Sequence, residues 1–500
     1  MEIQSMPFGV SKPVIPYILE DTPVPVFLQQ GGIAIPEYRE KPYYVVLSVD
    51  FGNTVTDCII VGTNLETGIT YTIINTARLT YKMRPPKEGE RVLGHSFEGI
   101  PISQAAVVDF VRDIVQHSIR ESNIDPVKDL NFAVYCTGLV GTWNSSADTS
   151  AFISGLAKGC MEAGIPGSKF SPPMTKQSLH AHIQKYSLAD KVTFCGTIAG
   201  AIPISKISGD VNIANDMEGD LGMAGIKEGA LHSPVDFRNP CVSIDFGTIL
   251  DGRITGPASD DEKNPYSQTI GCFVGLGGII ADVMVRGTGE VDPLYGSAYE
   301  FFGDKIETGW LSKKEKGVIK KYVDQIHDYI TISTVPRGTK NFGIVPLDED
   351  ISSRTGITIM GVDSGRNFSN KETLRMLGAD IYKQEGKKTL SEVVDRVCAR
   401  IAIQLIDMAI ENDLIHPNSA IGFSGRGAMS GRKPEYILEN IRDRKLYKDP
   451  MDRVIFVASA LPRGASLMAR CMASLGRPEK PIGGQREGRC IMGKRIKAAK

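Results

Sequence analysis

The feature that most constrains this 500-residue chain is a short phrase that it carries twice. Val45-Val46-Leu47-Ser48-Val49-Asp50-Phe51-Gly52-Asn53-Thr54 is answered, far along the chain, by Cys241-Val242-Ser243-Ile244-Asp245-Phe246-Gly247-Thr248. Each is an apolar, β-branched run that ends in Asp-Phe-Gly and gives way to hydroxyl or amide side chains. A second apolar run follows, Cys58-Ile59-Ile60-Val61 in one copy and Ile254 with its neighbours in the other. The pattern predicts two β-hairpins whose tight turns carry an acid, a glycine and a threonine. Glycine lets backbone N–H groups approach an anion, threonine adds a hydroxyl donor, and an Asp at a strand end can hold Mg²⁺ through its waters. One Asp-x-Gly is ordinary turn chemistry. Two copies on similar strands predict an internally duplicated fold with a site between its halves.

A third segment, Ala420-Ile421-Gly422-Phe423-Ser424-Gly425-Arg426-Gly427-Ala428-Met429-Ser430-Gly431, breaks from an apolar run into glycines ahead of a helix expected around Lys433 to Ile441. Glycines there let a flat ring lie against the backbone, and a helix start favours anionic groups. In this order the three segments resemble the phosphate 1, phosphate 2 and adenosine motifs of the superfamily of acetate and sugar kinases, heat-shock chaperone ATPases and actin. The resemblance implies an α/β fold, a duplicated ribonuclease H-like, actin-like two-domain architecture with a central nucleotide cleft.

Within that superfamily, Asp245-Phe246-Gly247-Thr248-Ile249-Leu250-Asp251-Gly252 is similar to the phosphate 2 segment of the ATP-dependent reductive activators of corrinoid proteins, which typically reads Asp-Ile-Gly-Thr-Asn-Gly-Glu. Asp251 stands where that family has Glu, and Ile249-Leu250 replace a flexible Asn-Gly. The stretch Val454 to Arg470 fits the closing strand, small-residue turn and final helix of the superfamily. Over its whole length the chain resembles the methanogenesis marker protein 14 family of archaea.

What the resemblance implies is an ATP-binding, Mg-dependent ATPase. Asp50 and Asp245 would orient Mg²⁺, mainly through water. Gly52, Asn53, Thr54, Gly247 and Thr248 would hold phosphates, and Gly422, Gly425 and Gly427 would face the nucleoside. Asp251 would be an acid near the terminal phosphate, the third catalytic candidate beside Asp50 and Asp245. The activity implied is assistance in the assembly or reductive activation of a methanogenesis metalloenzyme or a corrinoid or nickel cofactor protein, through a protein client. A small-molecule kinase and a non-hydrolysing nucleotide-binding scaffold are the alternatives; no substrate signature for a kinase stands out.

The length predicts two domains, and a net charge of −1 argues against a nucleic-acid partner. No stretch approaches the ~20 apolar residues of a membrane span, and Met1-Glu2-Ile3-Gln4 does not open a signal peptide. A cytoplasmic protein without a membrane partner is expected. The nine cysteines, scattered from Cys58 to Cys490 without a Cys-x-x-Cys pair, read as reduced thiols, not a disulfide framework. They offer no clustered thiolates for an intrinsic iron–sulfur cluster, so any redox role needs an external electron donor. His180-Ala181-His182 lacks a nearby third metal ligand, Asn144-Ser145-Ser146 carries no meaning as a glycosylation signal inside a cell, and no Gly-x-x-x-x-Gly-Lys-Ser/Thr occurs.

The expected organisation is a Pro-rich arm (1–40), domain I (41–236), domain II (237–476) with an inserted subdomain at about 290–361, and a basic tail (477–500). The arm's prolines forbid a long helix. Domain I should hold the first hairpin, a strand near Thr70 to Arg78, a helix from Gln104 to Ser122 and a buried strand from Leu130 to Gly138. Thr137 and Gly138 suit either phosphate or a plain turn. The Gly- and Ala-rich Thr193 to Ile202 has the character of a tightly packed helix between the halves. The glycines of Thr269 to Ile280 fit a ligand approach or ordinary turns. Lys313, Lys314, Lys316, Lys320 and Lys321 mark a solvated helix, and Leu390 to Asn412 is amphipathic. The tail, eight Lys or Arg against two Glu, is either a contact for an acidic partner or a frayed terminus.

Overall fold

A computed structural model describes residues 17–19, 22–27, 43–64, 70–143, 145–170, 173–175, 193–195, 198–199, 216–257, 269–303, 311–347 and 356–472. The chain opens with β1 (Tyr17–Leu19) and β2 (Thr22–Phe27). The first hairpin follows as β3 (Tyr43–Phe51) and β4 (Val55–Asn64), then β5 (Thr70–Leu79). A small ribbon, β6 (Val92–His95) and β7 (Pro101–Ser103), leads into helix α1 (Gln104–Ser122). The Ser103 hydroxyl caps α1 by accepting the Ala106 N–H, and Asn123 in the left-handed conformation closes it. After β8 (Phe132–Cys136) and α2 (Ser146–Glu162) come β9 (Pro173–Thr175), β10 (Thr193–Cys195) and β11 (Ile198–Ala199).

These elements build a sheet in the order β11-β8-β3-β4-β5. β3, β4 and β5 pair antiparallel, whereas β8 and β11 run parallel to β3. A parallel neighbour needs a crossover, and α1 supplies it, covering one face with Val107, Val111, Ile114 and Val115.

Helix α3 (Asp216–Ala230) then enters a second, matching unit: β12 (Cys241–Phe246), β13 (Ile249–Thr255), β14 (Thr269–Leu276) and α4 (Ile279–Arg286). Next are α5 (Ala298–Phe302), α6 (Lys313–His327), β15 (Thr331–Thr334), β16 (Asn341–Phe342), β17 (Val345–Pro346) and β18 (Thr358–Asp363). Helix α7 (Lys371–Glu411), bent at Gly386, precedes β19 (Ala420–Ser424), α8 (Arg426–Met429), α9 (Lys433–Asp443), β20 (Val454–Val457) and α10 (Ala460–Met472). The second sheet contains β20-β19-β12-β13-β14, again antiparallel through the hairpin and parallel beyond it. The duplication read from two phrases is thus a duplication of topology: this is a two-domain, actin-like α/β architecture built from two ribonuclease H-like sheets.

The second sheet is wider. β18 and β15 extend one edge beyond β14, and β2 and β1 extend the other beyond β20. Segment 290–361 therefore shares a sheet with the second half through β15, while α6 presents all five of its expected lysines to solvent. The expected helix at 193–202 is a correction. Its described residues, 193–195 and 198–199, form the strands β10 and β11, and Ile198 and Ala199 pair with Tyr135 and Cys136 of β8. The open edge of β8 offers a ladder of backbone partners that a helix would have left unpaired.

The place between the halves belongs instead to α3 and α10, which have exchanged sheets. α3 follows the first sheet but packs Ile226 with Cys241, Ala420 and Ile455 of the second; α10 follows the second but packs Ala465 with Val46, Ile59 and Val134 of the first. The two helices touch backbone to backbone, because a Cβ on Gly225 or Gly464 would collide with the carbonyls of Ala460 and Leu221. Residues 180–182, Asn144 and the tail from 477 lie outside the described residues.

Candidate functional site: a cavity between the two hairpin turns

The strands β3 and β12 end at a cavity of about 540 Å³ that both halves line. From the first turn come Asp50, Gly52, Asn53 and Thr54, from the second Asp245, Gly247 and Thr248, and from the Gly-rich segment Gly425 and Gly427. The turns meet: the hydroxyls of Thr54 and Thr248 are 2.6 Å apart.

Each turn is held by its own half. Thr80 bonds the carbonyl oxygens of Gly52 (through Oγ1, 2.8 Å) and Thr54 (through N–H, 2.9 Å), and Thr137 Oγ1 donates to Phe51 O at 2.8 Å. Thr137 is thus part of the turn's scaffold, while Gly138 lines the cavity. Asn53 is engaged on both sides of its amide, donating to Glu98 Oε2 at 2.6 Å and accepting from Phe97 N at 2.8 Å. In the second turn, Gly278 N donates to Gly247 O (2.6 Å) and the amides of Gly277 and Ile279 to Thr248 O (3.2 and 3.1 Å). Of the glycines of 269–280, Gly277 and Gly278 therefore clamp a turn, with Gly278 also on the cavity wall.

The carboxylates follow the duplication. Asp50 faces Asp57 across the first hairpin, and Asp245 faces Asp251 across the second. Burial pushes Asp50 well above the usual carboxylate range, and the charges of Asp57 and Asp245 add to this against the Cys136 thiol. Burial likewise raises Asp245 to about 6, against a hydrogen bond from Ser424 Oγ to its Oδ1. A hard divalent cation between strand ends of this kind would relieve both penalties. Among the described residues no group of three or more His, Cys, Asp or Glu side chains is placed to hold a metal ion. The remaining ligands of such a cation would be phosphate oxygens and water.

Asp251 is 2 % exposed, with Arg253 Nη1 3.9 Å from its Oδ1. Gly422 is the one expected residue outside the cavity. It pairs with Ser243 midway along its strand, and Ile226 and Phe237 cover its Cα. Gly425 and Gly427, past the strand end, lie against Phe246 instead; Gly425 has φ 78° and no room for a Cβ.

Four site residues escaped sequence reasoning. Asp57 could have been found by pairing the hairpin outward from its turn. Asp282 of α4 lines the cavity, accepts Ala298 N at 2.7 Å and lies 3.5 Å from Thr54 Oγ1; burial raises it to about 6, although Arg286 pulls it down. Arg426 reaches from the Gly-rich segment to Asp57 (3.6 Å) and stacks 3.6 Å over the Tyr299 ring. Lys433 opens α9, buried, donating to Asp395 Oδ1 at 2.6 Å and to Ser430 O and Oγ, each at 3.1 Å. Burial would push its ammonium down, but Asp395 outweighs it. These three contacts join distant segments, and no local pattern announces them.

Fold and cavity together define an actin-like, two-domain protein with an acidic cleft between its halves. The chain belongs to the family described as "Uncharacterized protein conserved in archaea (DUF2114)", which matches residues 43–499. It is 38% identical over 484 residues to an uncharacterized protein of Methanocaldococcus jannaschii, covering 97% of each chain. An uncharacterized protein of Methanothermobacter thermautotrophicus is 40% identical over 480 residues, covering 96% of this chain and 87% of that one. Among solved structures, the ethanolamine utilization protein EutJ from Carboxydothermus hydrogenoformans aligns over 86% of this chain and 92% of its own, at 10% identity and a TM-score of 0.35. A reductive activator for a corrinoid, iron–sulfur protein aligns over 91% and 66%, at 11% identity and a TM-score of 0.29.

Proposed function

We propose that the cavity binds a magnesium–ATP complex and that the protein is an ATPase whose hydrolysis drives a protein client. The observation that carries this reading is the meeting of Thr54 and Thr248 in one cavity, lined by both halves, that also holds the strand-end acids Asp50 and Asp245. A triphosphate fits that chemistry: hydroxyls and turn amides for its oxygens, and carboxylates for a hydrated Mg²⁺ that neutralises its charge. Phosphoryl transfer asks for positioning and charge neutralisation more than for covalent chemistry. Gly425 and Gly427 line the cavity where the nucleoside would lie, with Arg426 and Lys433 beside them.

The cavity spans both halves and α3 and α10 cross between them, so ligand binding is coupled to their relative position. The client step follows from the resemblance to the methanogenesis marker protein 14 family and to corrinoid activators: assembly or reductive activation of a methanogenic metalloenzyme or cofactor protein. Cys58, Cys136, Cys160, Cys241, Cys272 and Cys398 are buried free thiols, and the reading takes the electrons of such a step from another protein.

Calorimetry with Mg-ATP and a slowly hydrolysed analogue tests the site; no heat and no thermal stabilisation at millimolar nucleotide would overturn it. Capture from an anaerobic methanogen extract with ATP present tests the client. Recovery of a metalloenzyme or corrinoid protein supports the reading, and ATP consumption that needs only a metabolite favours a kinase.

A further inference from the structure

Helix α4 starts at the clamp on the second turn and runs across to the first. All eight of its residues are buried. Asp282 faces the cavity with its Oδ1 anchored by the Ala298 amide, which leaves Oδ2 as the oxygen directed at Thr54 Oγ1. Thr54 is in turn hydrogen-bonded to Thr248. One helical turn on, Arg286 donates from Nε to Gly296 O (2.7 Å) and from Nη2 to Glu98 Oε1 (3.2 Å), and Glu98 holds Asn53. The helix therefore grips both polar residues of the first turn, and this fixes the Asp282 carboxylate beside the two turn hydroxyls.

The other cavity acids have different surroundings. Asp50 and Asp245 terminate strands and repel one another. Asp57 meets Arg426, and Asp251 lies beside Arg253. Asp282 alone among the five projects from a helix, on the side of the cavity where Thr54 and Thr248 meet. The charge of Arg286 also acts on Asp282, but that guanidinium is bonded to Gly296 O and Glu98, and anchoring one amide needs no carboxylate, since a serine or asparagine would accept that N–H without the cost of a buried charge.

We propose that Asp282 is the general base of ATP hydrolysis, taking a proton from the water that attacks the terminal phosphate held at Thr54 and Thr248. The inference rests on the nucleotide reading of the same cavity. In the step, the water oxygen forms a bond to the γ-phosphorus. The bond from that phosphorus to the β,γ-bridging oxygen breaks, and its electron pair leaves on ADP. One water proton passes to Asp282 Oδ2 and is released to solvent when inorganic phosphate departs.

The test is Asp282→Asn in the full chain, with turnover followed by phosphate release and binding by calorimetry. Asn keeps an acceptor for the Ala298 amide and removes the base. The expected result is a fall in kcat of ~10²-fold or more, with KM and the dissociation constant of Mg-ATP within about threefold of the wild type. Turnover at the wild-type rate overturns the proposal, as does loss of nucleotide binding in place of turnover. If the Asn variant fails to fold, Asp282→Ser retains an acceptor and decides in the same way. In Asp282→Ala, added formate should restore part of the rate, and a rate insensitive to formate counts against the base. Wild-type protein that binds no ATP overturns the underlying reading of the site; wild-type protein that binds but never hydrolyses overturns this inference together with the ATPase reading and leaves nucleotide binding standing; a wild type that hydrolyses beside an equally fast Asp282→Asn overturns this inference alone.

Discussion

Thr54 and Thr248 stand at equivalent places in two repeats, and their hydroxyl oxygens lie 2.6 Å apart where those repeats meet. Neither contacts the other through local sequence. Their meeting follows from two sheets of the same strand order facing each other across α3 and α10. Both threonines line the cavity that the two halves share.

Asp50→Ala and Asp245→Ala should each lower ATP turnover by ~10²-fold or more, because each removes charge stabilisation fixed at the cavity. Both acids sit at strand ends, so circular dichroism and melting should show an intact fold. Hydrolysis at the wild-type rate in both would identify them as turn formers only.

The acid at 245 also predicts a pH dependence. Its folded value of about 6 lies above the free value of 3.8. A raised acid favours the fold fully below the unfolded value, and that contribution disappears as pH rises through the folded one. Between about pH 4 and pH 6 the accumulating buried charge therefore weakens the metal-free protein by ~3 kcal/mol. Asp245→Asn, which cannot charge, should melt above the wild type at about pH 8, the gap closing toward pH 4. A constant gap would show that no charge penalty exists.

Gly425→Ala and Gly422→Ala should separate binding from packing. A Cβ at 425 meets the Phe246 backbone at the cavity edge, with φ 78° adding strain. Nucleotide affinity is expected to fall by at least ~10-fold. At 422 a Cβ presses on Ile226 and Phe237, so the melting temperature drops while calorimetric affinity stays within about threefold. Equal losses of affinity would place Gly422 in the site.

The Glu98–Arg286 pair joins the halves with side chains only 3 % and 2 % exposed. Removing one partner leaves the other charge buried, at a cost of ~3 kcal/mol. Arg286→Met should show that loss in urea unfolding and also weaken nucleotide binding, since Glu98 orders Asn53. Unchanged stability would mean that water already screens the pair.

Sequence by itself determined the local elements. Apolar, β-branched runs wrote both hairpins, helical periodicity wrote α1 and the second half of α7, the glycines ahead of it announced α9, and turn chemistry put Asp, Gly and Thr where the strands end. Such signals need only neighbours along the chain. Tertiary structure decided the rest, because the deciding forces act between segments far apart in sequence. The edge of β8 drew residues 198–199 into a strand against their helical appearance, through backbone bonds that a local reading does not contain. Packing of α3 over mid-strand Gly422 kept it out of a cavity that opens only at strand ends. Asp282 became a site residue because the fold of the second half carries α4 to a turn of the first, where burial and the hydroxyl of Thr54 give its carboxylate a chemistry that its own segment never shows.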